Sequence, residues 1–183
     1  MNPAFLLTDL LEVDRAFKEH GATMFLLYGT ALGLYRDGKF LPGDEDLDIG
    51  SFDVDKRDVI AKTLEDRGFQ VSISYTEERG YHSTEMIHAQ HDTHVDIFFF
   101  KKTRNGWTAK RAGHEKPFVV LPPGQKKKFQ TVTMAGHEFN ALSPVEEYLD
   151  FCYDDWKDPA KKDHGKLYHD LKGTEFYKEI FHS

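Results

Sequence analysis

Two short segments of this 183-residue chain alternate aspartate with apolar residues, which restricts how either segment can fold. The first, Asp46-Leu47-Asp48-Ile49, has the period of two that is typical of a strand with one buried face. Side chains two residues apart on a strand point to the same face, with Cα atoms about 6.6 Å apart. Asp46 and Asp48 are therefore expected to project together, while the leucine and isoleucine between them enter the core.

The second segment, 94–100, places Asp96 among valine, isoleucine and phenylalanine residues. Burying an aspartate in so apolar a strand is costly unless it is paired or ligates a metal. If the two strands are neighbours, Asp46, Asp48 and Asp96 converge. Such hard oxygen ligands suit Mg²⁺ or Mn²⁺, and sites of this kind serve phosphoryl transfer. Asp96 is also the best candidate for a general base that takes the proton of an acceptor hydroxyl.

A glycine–threonine pair, Gly29-Thr30, precedes this acidic region by about sixteen residues. It follows a predicted apolar strand and begins a predicted helix. Exposed N–H groups at a helix start, beside a residue with no Cβ, let phosphate oxygens approach the backbone. Residues 44–46 alone also fit a solvated loop rim, and Asp96 alone fits a charged residue on an edge strand. The combination of these features favours a phosphate and metal site.

The hydrophobic pattern predicts an α/β or α+β sandwich, with strands and helices interleaved and a helical end, in a single domain over 1–183. The core covers about 1–140, and a C-terminal helical segment covers about 141–183. That segment is predicted to start with Ser143 as N-cap, Pro144 at the first helical position and Glu146 in a capping box. The remaining predicted helices cover 5–17, 30–37 and 55–67, and the strands cover 23–28, 46–52, 69–75, 81–90, 94–101, 118–121 and 129–134.

Charge and composition exclude several classes of protein. The chain has 24 basic and 31 acidic residues and a net charge of −7, which argues against a nucleic-acid binder. The single cysteine, Cys152, excludes an internal disulfide and suits a reducing compartment. No apolar run is long enough for a membrane span, and the N-terminus lacks the basic region of a secretory signal. We therefore expect a cytoplasmic protein.

Ten histidines raise the question of a zinc site. The spacing of His88, His91 and His94 suits one face of a helix, but this region is predicted to form strands. Only His88 and His94 would share a strand face, and a turn separates them. One cysteine also excludes the usual thiolate sites. The sequence therefore does not favour zinc.

The glycine–threonine pair and the aspartates Asp46 and Asp48 belong to one continuous block, residues 28–49, and the pattern resumes at 94–98 with Asp96. Looser blocks cover 142–149 and 155–159. These residues resemble the nucleotidyltransferase superfamily. The closer resemblance is to the LicD family of phosphocholine transferases, to which fukutin-type proteins are related.

The resemblance implies a nucleotidyltransferase-like mixed sheet with Asp46, Asp48 and Asp96 as metal ligands. It also implies a CDP-linked alcohol as donor, such as CDP-choline, whose phosphoryl-alcohol portion passes to a hydroxyl of a glycan or small molecule. Arg36 and Lys39 flank the acidic loop and are candidates to bind the diphosphate, although a structural ion pair explains them equally well.

Two other functions stay open at this level. One is nucleotidyl transfer, in which a nucleoside monophosphate passes from a nucleoside triphosphate to a small molecule or a protein. The other is a non-catalytic nucleotide-binding domain. Phospho-alcohol transfer and nucleotidyl transfer differ in the phosphorus atom that the acceptor attacks. A non-catalytic domain would bind nucleotide without turnover.

Overall fold

A computed structural model describes residues 3–74, 83–104, 106–110 and 118–159, and the structural statements below concern those residues. The predicted strand ends at 75 and 81–82 lie outside the described residues, as does the predicted helical segment beyond 159. None of the described helices is long and apolar enough to cross a bilayer.

The helices are α1, Pro3–Glu19; α2, Tyr28–Leu32; α3, Arg57–Glu65; and α4, Val145–Cys152. A π-helical turn, Gly33–Asp37, continues α2, and a 3₁₀ turn, Val54–Lys56, leads into α3. The strands are β1, Met24–Leu26; β2, Asp46–Ser51; β3, Phe69–Ser74; β4, Ser83–His88; β5, His94–Phe99; β6, Lys101–Thr103; β7, Gly106–Lys110; β8, Phe118–Val120; β9, Phe129–Met134; and β10, His137–Leu142.

Seven of the strands form a mixed sheet in the order β3-β4-β5-β2-β1-β10-β9. β2 pairs with β5, and β1 with β10, in parallel, whereas the other neighbours are antiparallel. A second, three-stranded antiparallel sheet has the order β6-β7-β8. The predicted α+β class, with a mixed sheet packed on helices, is confirmed.

One face of the large sheet is apolar. Leu47 and Ile49 of β2 and Val95 and Ile97 of β5 are buried, in alternation with the aspartates as the period of two predicts. Helix α1 packs over this face, and its Phe17 ring stacks against Phe99 with ring centroids 6.2 Å apart. The aspartates therefore occupy the opposite face, away from α1.

The start of α4 differs from the prediction. The helix begins at Val145, and Pro144 is an extended N-cap with φ −72° and ψ 135° and no side-chain cap. The expected capping box with Ser143 and Glu146 is therefore wrong. Instead, the Val145 N–H donates to Gln130 Oε1 of β9 at 3.1 Å, so a tertiary contact replaces the local cap. The apolar face predicted for this helix is buried as expected.

Strand β10 was not predicted, although it completes the sheet beside β1. Its pattern is weak because Phe139 and Ala141 are its only inward apolar residues before Leu142. The signal lies in the turn before it, where Ala135 and Gly136 both have positive φ, 50° and 81°. Two such residues between antiparallel strands are typical of a tight hairpin.

A substitution of Gly50 tests the packing of β2, the strand that carries Asp46 and Asp48. A Cβ at this position would lie 2.2 Å from Cε2 of the buried Phe25 ring on β1. We expect Gly50→Ala to lower the free energy of unfolding by about 1–3 kcal/mol, because overpacking forces the ring or the strand to move. Urea denaturation followed by circular dichroism measures this change.

A double-mutant cycle with Phe25→Leu provides the control, because the smaller side chain makes room for the new methyl group. The combined variant is expected to lose at least about 0.5 kcal/mol less than the sum of the single losses. Strict additivity of the two losses would show that contact with the Phe25 ring is not the cause of the instability of Gly50→Ala.

Candidate active site

The parallel register of β2 and β5 brings two of the three predicted metal ligands side by side. Asp48 pairs with Asp96, and Asp46 pairs with His94. Residues paired across neighbouring strands have side chains on the same face, so all three aspartates share the face opposite α1. The expectation that the two segments are neighbours is confirmed, while the metal-binding and catalytic roles of the aspartates stay predictions.

A fourth carboxylate, which the sequence analysis did not identify, continues this row. Glu85 of β4 pairs directly with Asp96 in the antiparallel ladder. Directly opposed side chains on antiparallel strands have Cβ atoms about 4.5–5.5 Å apart. Asp48, Asp96 and Glu85 therefore form one row across three adjacent strands. A single sequence gives no register for β4 against β5, so no signal for this residue was present.

Asp44 lies in the loop just before β2 and is more constrained than a solvated rim. Its Oδ2 is buried and has no hydrogen-bond partner among the described residues. Burial, together with the adjacent Asp46 carboxyl, raises the pKa of Asp44 to about 7. Two close carboxylates disfavour each other's ionised form, and a cation between them relieves this repulsion. Asp44 therefore belongs to the site, although it was not among the predicted ligands.

Gly29 forms the floor under Asp44. A Cβ at position 29 would lie 3.1 Å from Asp44 Oδ2, a separation tighter than ordinary van der Waals contact. The helix starts two residues earlier than predicted, at Tyr28, so Gly29 lies within its first turn. The absence of a side chain here lets the acidic loop fold down against α2.

Thr30 is buried, and its hydroxyl has a partner within the protein. Its Oγ1 accepts a hydrogen bond from the Asp48 N–H at 2.9 Å. On the other side of the same residue, the Leu27 N–H donates to the Asp48 carbonyl at 3.0 Å. Thr30 therefore fixes the backbone that carries Asp48, and a direct contact between its hydroxyl and a phosphate stays a prediction.

The two basic residues predicted to bind a diphosphate, Arg36 and Lys39, differ from each other in their surroundings. Arg36 donates from Nε and Nη2 to the Asp37 carboxylate, both at 2.9 Å, and from Nη1 to the Trp156 carbonyl at 2.8 Å. These bonds tie the turn after α2 to the segment after α4. Lys39 is exposed near the acidic loop. Phosphate binding by either residue stays a prediction, and Lys39 has the more accessible side chain.

A second group of ligand-type side chains lies elsewhere. Asp9 of α1, His88 of β4 and His91 of the following turn each offer one atom, and these atoms lie within 4.8 Å of one another. The sequence analysis considered these two histidines without Asp9, which is about eighty residues away in the chain. Only the packing of α1 on the sheet reveals the group.

The fold and the acidic site can be compared with known proteins. A family model described as the nucleotidyltransferase domain of LicD, FKTN and FKRP matches residues 21–141, which cover β1, the acidic loop, β2 and β5. The chain belongs to this LicD family. The resemblance stated from the sequence motifs is therefore confirmed, and the chain has the nucleotidyltransferase domain of a transferase family.

Among curated LicD-family relatives, ribitol-5-phosphate transferase FKTN of Macaca fascicularis is 30% identical over 149 residues, with 77% of this chain and 31% of the relative covered. The Homo sapiens protein of the same name is 29% identical over 149 residues, with the same shares covered. The chain thus spans about a third of the length of these relatives.

Solved structures support the same fold. The antibiotic-resistance factor ANT(2″)-Ia matches with a TM-score of 0.56 and 15% identity over 78% of this chain and 67% of that chain. The lincosamide antibiotic adenylyltransferase LnuA matches with a TM-score of 0.52 and 21% identity over 81% and 83% of the two chains. At these identities the likeness concerns the fold of the LicD-family domain, which is that of nucleotidyltransferases.

The bond from the Asp48 N–H to Thr30 yields a direct test of positioning. Thr30→Val keeps the side-chain shape but leaves this N–H without its acceptor, whereas Thr30→Ser keeps the oxygen. We expect Val to cost about 1–3 kcal/mol of stability, the usual penalty for an unsatisfied buried donor. In native-state hydrogen exchange, the Asp48 amide should lose protection in Thr30→Val and keep it in Thr30→Ser. Equal protection in both variants would contradict this role.

The raised pKa of Asp44 makes stability depend on pH in metal-free buffer. The unfolded chain releases this proton near the ordinary value of 3.8 and the folded protein near 7, so the folded state holds more protons between these values. The carboxyl therefore lowers the free energy of unfolding progressively as the pH rises from about 4 to about 7. Above that range the loss of stability has reached its full value. Asp44→Asn removes this loss.

Urea denaturation in EDTA at pH 4.5 and pH 8 measures the effect. Asp44→Asn should be more stable than the wild type at pH 8 by a margin that shrinks at pH 4.5. Glu45→Gln, which removes an exposed carboxylate of the same loop, controls for net charge. A gain for Asp44→Asn that is the same at both pH values would be incompatible with a buried, late-ionising carboxyl.

Proposed function

We propose that this LicD-family domain transfers a phospho-alcohol group from a CDP-linked donor to a hydroxyl of a glycan or small molecule, in a reaction that depends on Mg²⁺ or Mn²⁺. The observation that carries the proposal is the β2–β5 register, which aligns Asp48 with Asp96 on the face of the sheet opposite α1. We also propose a cytoplasmic location, in keeping with the acidic charge and the single cysteine.

The residues present fit a hard divalent cation. The buried Asp44 Oδ2 lacks a partner among the described residues, and the surrounding donors are carboxylate oxygens. Asp46, Asp48 and Asp96 are the proposed ligands, with Asp44 beside them. When bound, the ion supplies positive charge that stabilises the phosphates of the donor and the transferring phosphoryl group. A net charge of −7 is compatible with a diphosphate substrate only if such charge is supplied locally.

The chain's own groups then bind and orient the reactants. Gly29 leaves room for the Asp44 carboxylate, and Thr30 holds the Asp48 backbone in place. Gly29 and Thr30 are proposed to contact the donor phosphates at the first turn of α2. Lys39 is exposed at the edge of the acidic loop and is proposed to contact the diphosphate. Arg36 is proposed to orient this edge through its bonds to Asp37 and Trp156.

The proposed step leaves simple products. The acceptor oxygen attacks the phosphorus that bears the alcohol, a new P–O bond forms, and the bond to the bridging oxygen breaks with release of CMP. Asp96 accepts the proton of the acceptor hydroxyl. Because this reaction needs little covalent chemistry from the protein, positioning and charge stabilisation supply most of the rate.

The transferred alcohol is proposed at the level of a class. Phosphocholine follows from the LicD resemblance, and the relatives named ribitol-5-phosphate transferase add ribitol 5-phosphate as a second candidate. CDP-choline and CDP-ribitol are therefore the donors to compare. The fold-level likeness to the adenylyltransferase LnuA keeps nucleotidyl transfer from a nucleoside triphosphate as the alternative.

The decisive assay separates these possibilities by product mass. The protein is incubated with CDP-choline, CDP-ribitol or the four common nucleoside triphosphates, each with and without Mg²⁺, in the presence of a mixture of sugar and polyol acceptors. We expect CMP and an acceptor that is heavier by one phospho-alcohol group. Pyrophosphate and an acceptor heavier by one nucleoside monophosphate would support nucleotidyl transfer instead.

Variants of the proposed metal ligands test the assignment of residues. Asp46→Asn and Asp48→Asn should each lower turnover by at least about 100-fold, as loss of an electrostatic group at the reacting phosphoryl centre commonly does. Glu45→Gln, directly before Asp46 in sequence and exposed, is the matched control and should keep most activity. Nucleotide binding that stabilises the protein without turnover of any donor would favour the non-catalytic alternative.

A further inference from the structure

The group formed by Asp9, His88 and His91 lies on the other face of the sheet from the acidic row. His88 is three residues from Glu85 along β4, so the two side chains point to opposite faces. Asp9 comes from α1, which covers that opposite face, and His91 follows in the turn between β4 and β5. This group, named the helix-side cluster here, is therefore separate from the proposed transfer site.

The helix-side cluster contains a buried carboxylate, that of Asp9, with a polar partner near one oxygen only. Asp9 is fully buried, and its Oδ2 has no hydrogen-bond partner among the described residues. Its Oδ1 is 2.7 Å from His91 Nδ1 and 4.0 Å from His88 Nε2. A buried ionised carboxylate is costly unless positive charge and donors surround it. The orphan oxygen is therefore a second, independent sign that a ligand completes this group.

The two imidazoles are packed by aromatic rings on either side. His88 and His91 stack with ring centroids 4.1 Å apart, and Phe5 of α1 stacks on the outer face of His91 at 4.4 Å. Phe69 of β3 meets His88 edge-on. This ring packing holds both imidazoles beside the Asp9 carboxylate, where one ligand atom from each of the three residues lies within 4.8 Å of the others. A single divalent cation can be shared by these three groups.

From this arrangement we infer that the helix-side cluster is a Zn²⁺ site. Two imidazole nitrogens and one carboxylate oxygen form a set of borderline donors that suits zinc, whereas Mg²⁺ prefers oxygen donors alone. Both Asp9 oxygens are then used: one binds the metal, and the other is available to it or to a metal-bound water. With three protein ligands, the fourth position belongs to water.

The metal-bound state requires both imidazoles to move from their positions in the structure. The backbone N–H of Gln90 is 3.4 Å from His88 Nδ1, a long contact, and Nε2 of the same ring lies 4.0 Å from Asp9 Oδ1. His88 would bind the metal through Nε2. The stacked rings would also separate, and His91, the more exposed of the two, is the side chain that would turn.

The inferred role of the zinc is structural. Its ligands come from α1, from the end of β4 and from the turn that leads into β5. The ion thus ties the N-terminal helix to the hairpin that carries Glu85 and Asp96 on its other face. The inference does not depend on the proposed transfer reaction, because none of the three zinc ligands is a predicted ligand of the transfer site.

The test uses the full chain after chelator treatment and dialysis. Zn²⁺ is titrated by calorimetry against a competing chelator, and Co²⁺ is added separately to look for visible absorption bands of a low-symmetry, nitrogen-ligated ion. We expect one Zn²⁺ per chain, with Mg²⁺ unable to compete. At free Zn²⁺ roughly 100 times Kd, the melting temperature should rise by roughly 5–10 °C.

Variants assign the binding to the helix-side cluster. His91→Phe keeps a ring against Phe5 but removes a ligand, and it should weaken Zn²⁺ binding by at least about 100-fold and remove the Co²⁺ bands. Asp9→Asn should have the same effect if it folds. His137→Ala removes an exposed histidine of β10 and is the matched control.

A double variant, Asp46→Asn with Asp48→Asn, keeps the two sites distinguishable. Zinc binding that survives in this double variant and disappears in His91→Phe supports the inference. It is overturned if Zn²⁺ fails to bind or to stabilise the wild type. It is equally overturned if His91→Phe binds Zn²⁺ as tightly as His137→Ala, or if the double variant loses the binding. The helix-side cluster would then be a buried ion pair only.

Discussion

The parallel pairing of β2 with β5 is the constraint on which the site depends. It runs from Asp46 opposite His94 to Ser51 opposite Phe99, and the Phe100 N–H extends it by donating to the Ser51 carbonyl at 2.7 Å. Parallel strands need a crossover connection. Here α3, β3 and β4 form that connection, so much of the N-terminal half of the fold returns the chain to this register.

The register is stabilised on one face and used on the other. Leu47, Ile49, Val95 and Ile97 are buried under α1, and this apolar contact holds together two strands whose opposite faces carry like charges. Carboxylates aligned in this way repel one another unless a cation is present. Local devices then complete the site: Gly29 leaves room for Asp44, and Thr30 holds the backbone of Asp48. Apolar burial on one face of the strands thus offsets the repulsion between the carboxylates on the other face.

Residues with a local signature could be predicted from the sequence. Asp46 and Asp48 alternate with apolar residues, and Asp96 interrupts an apolar strand, so their shared face follows from the period of a strand. The position of Gly29 before a helix also has a local cause. By contrast, Glu85 and Asp9 become meaningful only through strand register and helix packing. Both depend on contacts far apart in the chain, and alternation within one segment carries no information about them.

One error came from a local rule that a tertiary contact overrides. The motif at Ser143 predicted a capped helix start, but Gln130 from β9 satisfies the first N–H of α4 instead. For Arg36 the sequence left diphosphate binding and a structural ion pair open. Its bonds to Asp37 and Trp156 show structural contacts, and diphosphate binding stays a prediction. The partners Gln130 and Trp156 are distant in sequence, so local patterns do not reveal them.

We propose that the face of β2 and β5 that carries the aspartates holds a divalent cation near Gly29. Paramagnetic broadening in a ¹H–¹⁵N spectrum is the most direct measurement, because Mn²⁺ at low occupancy broadens only nearby amide signals. We expect early broadening of the Gly29, Asp46, Asp48 and Asp96 amides, reversed by excess Mg²⁺, while signals from β9 persist. Broadening that leaves these four amides unchanged, or that Mg²⁺ does not reverse, would contradict it.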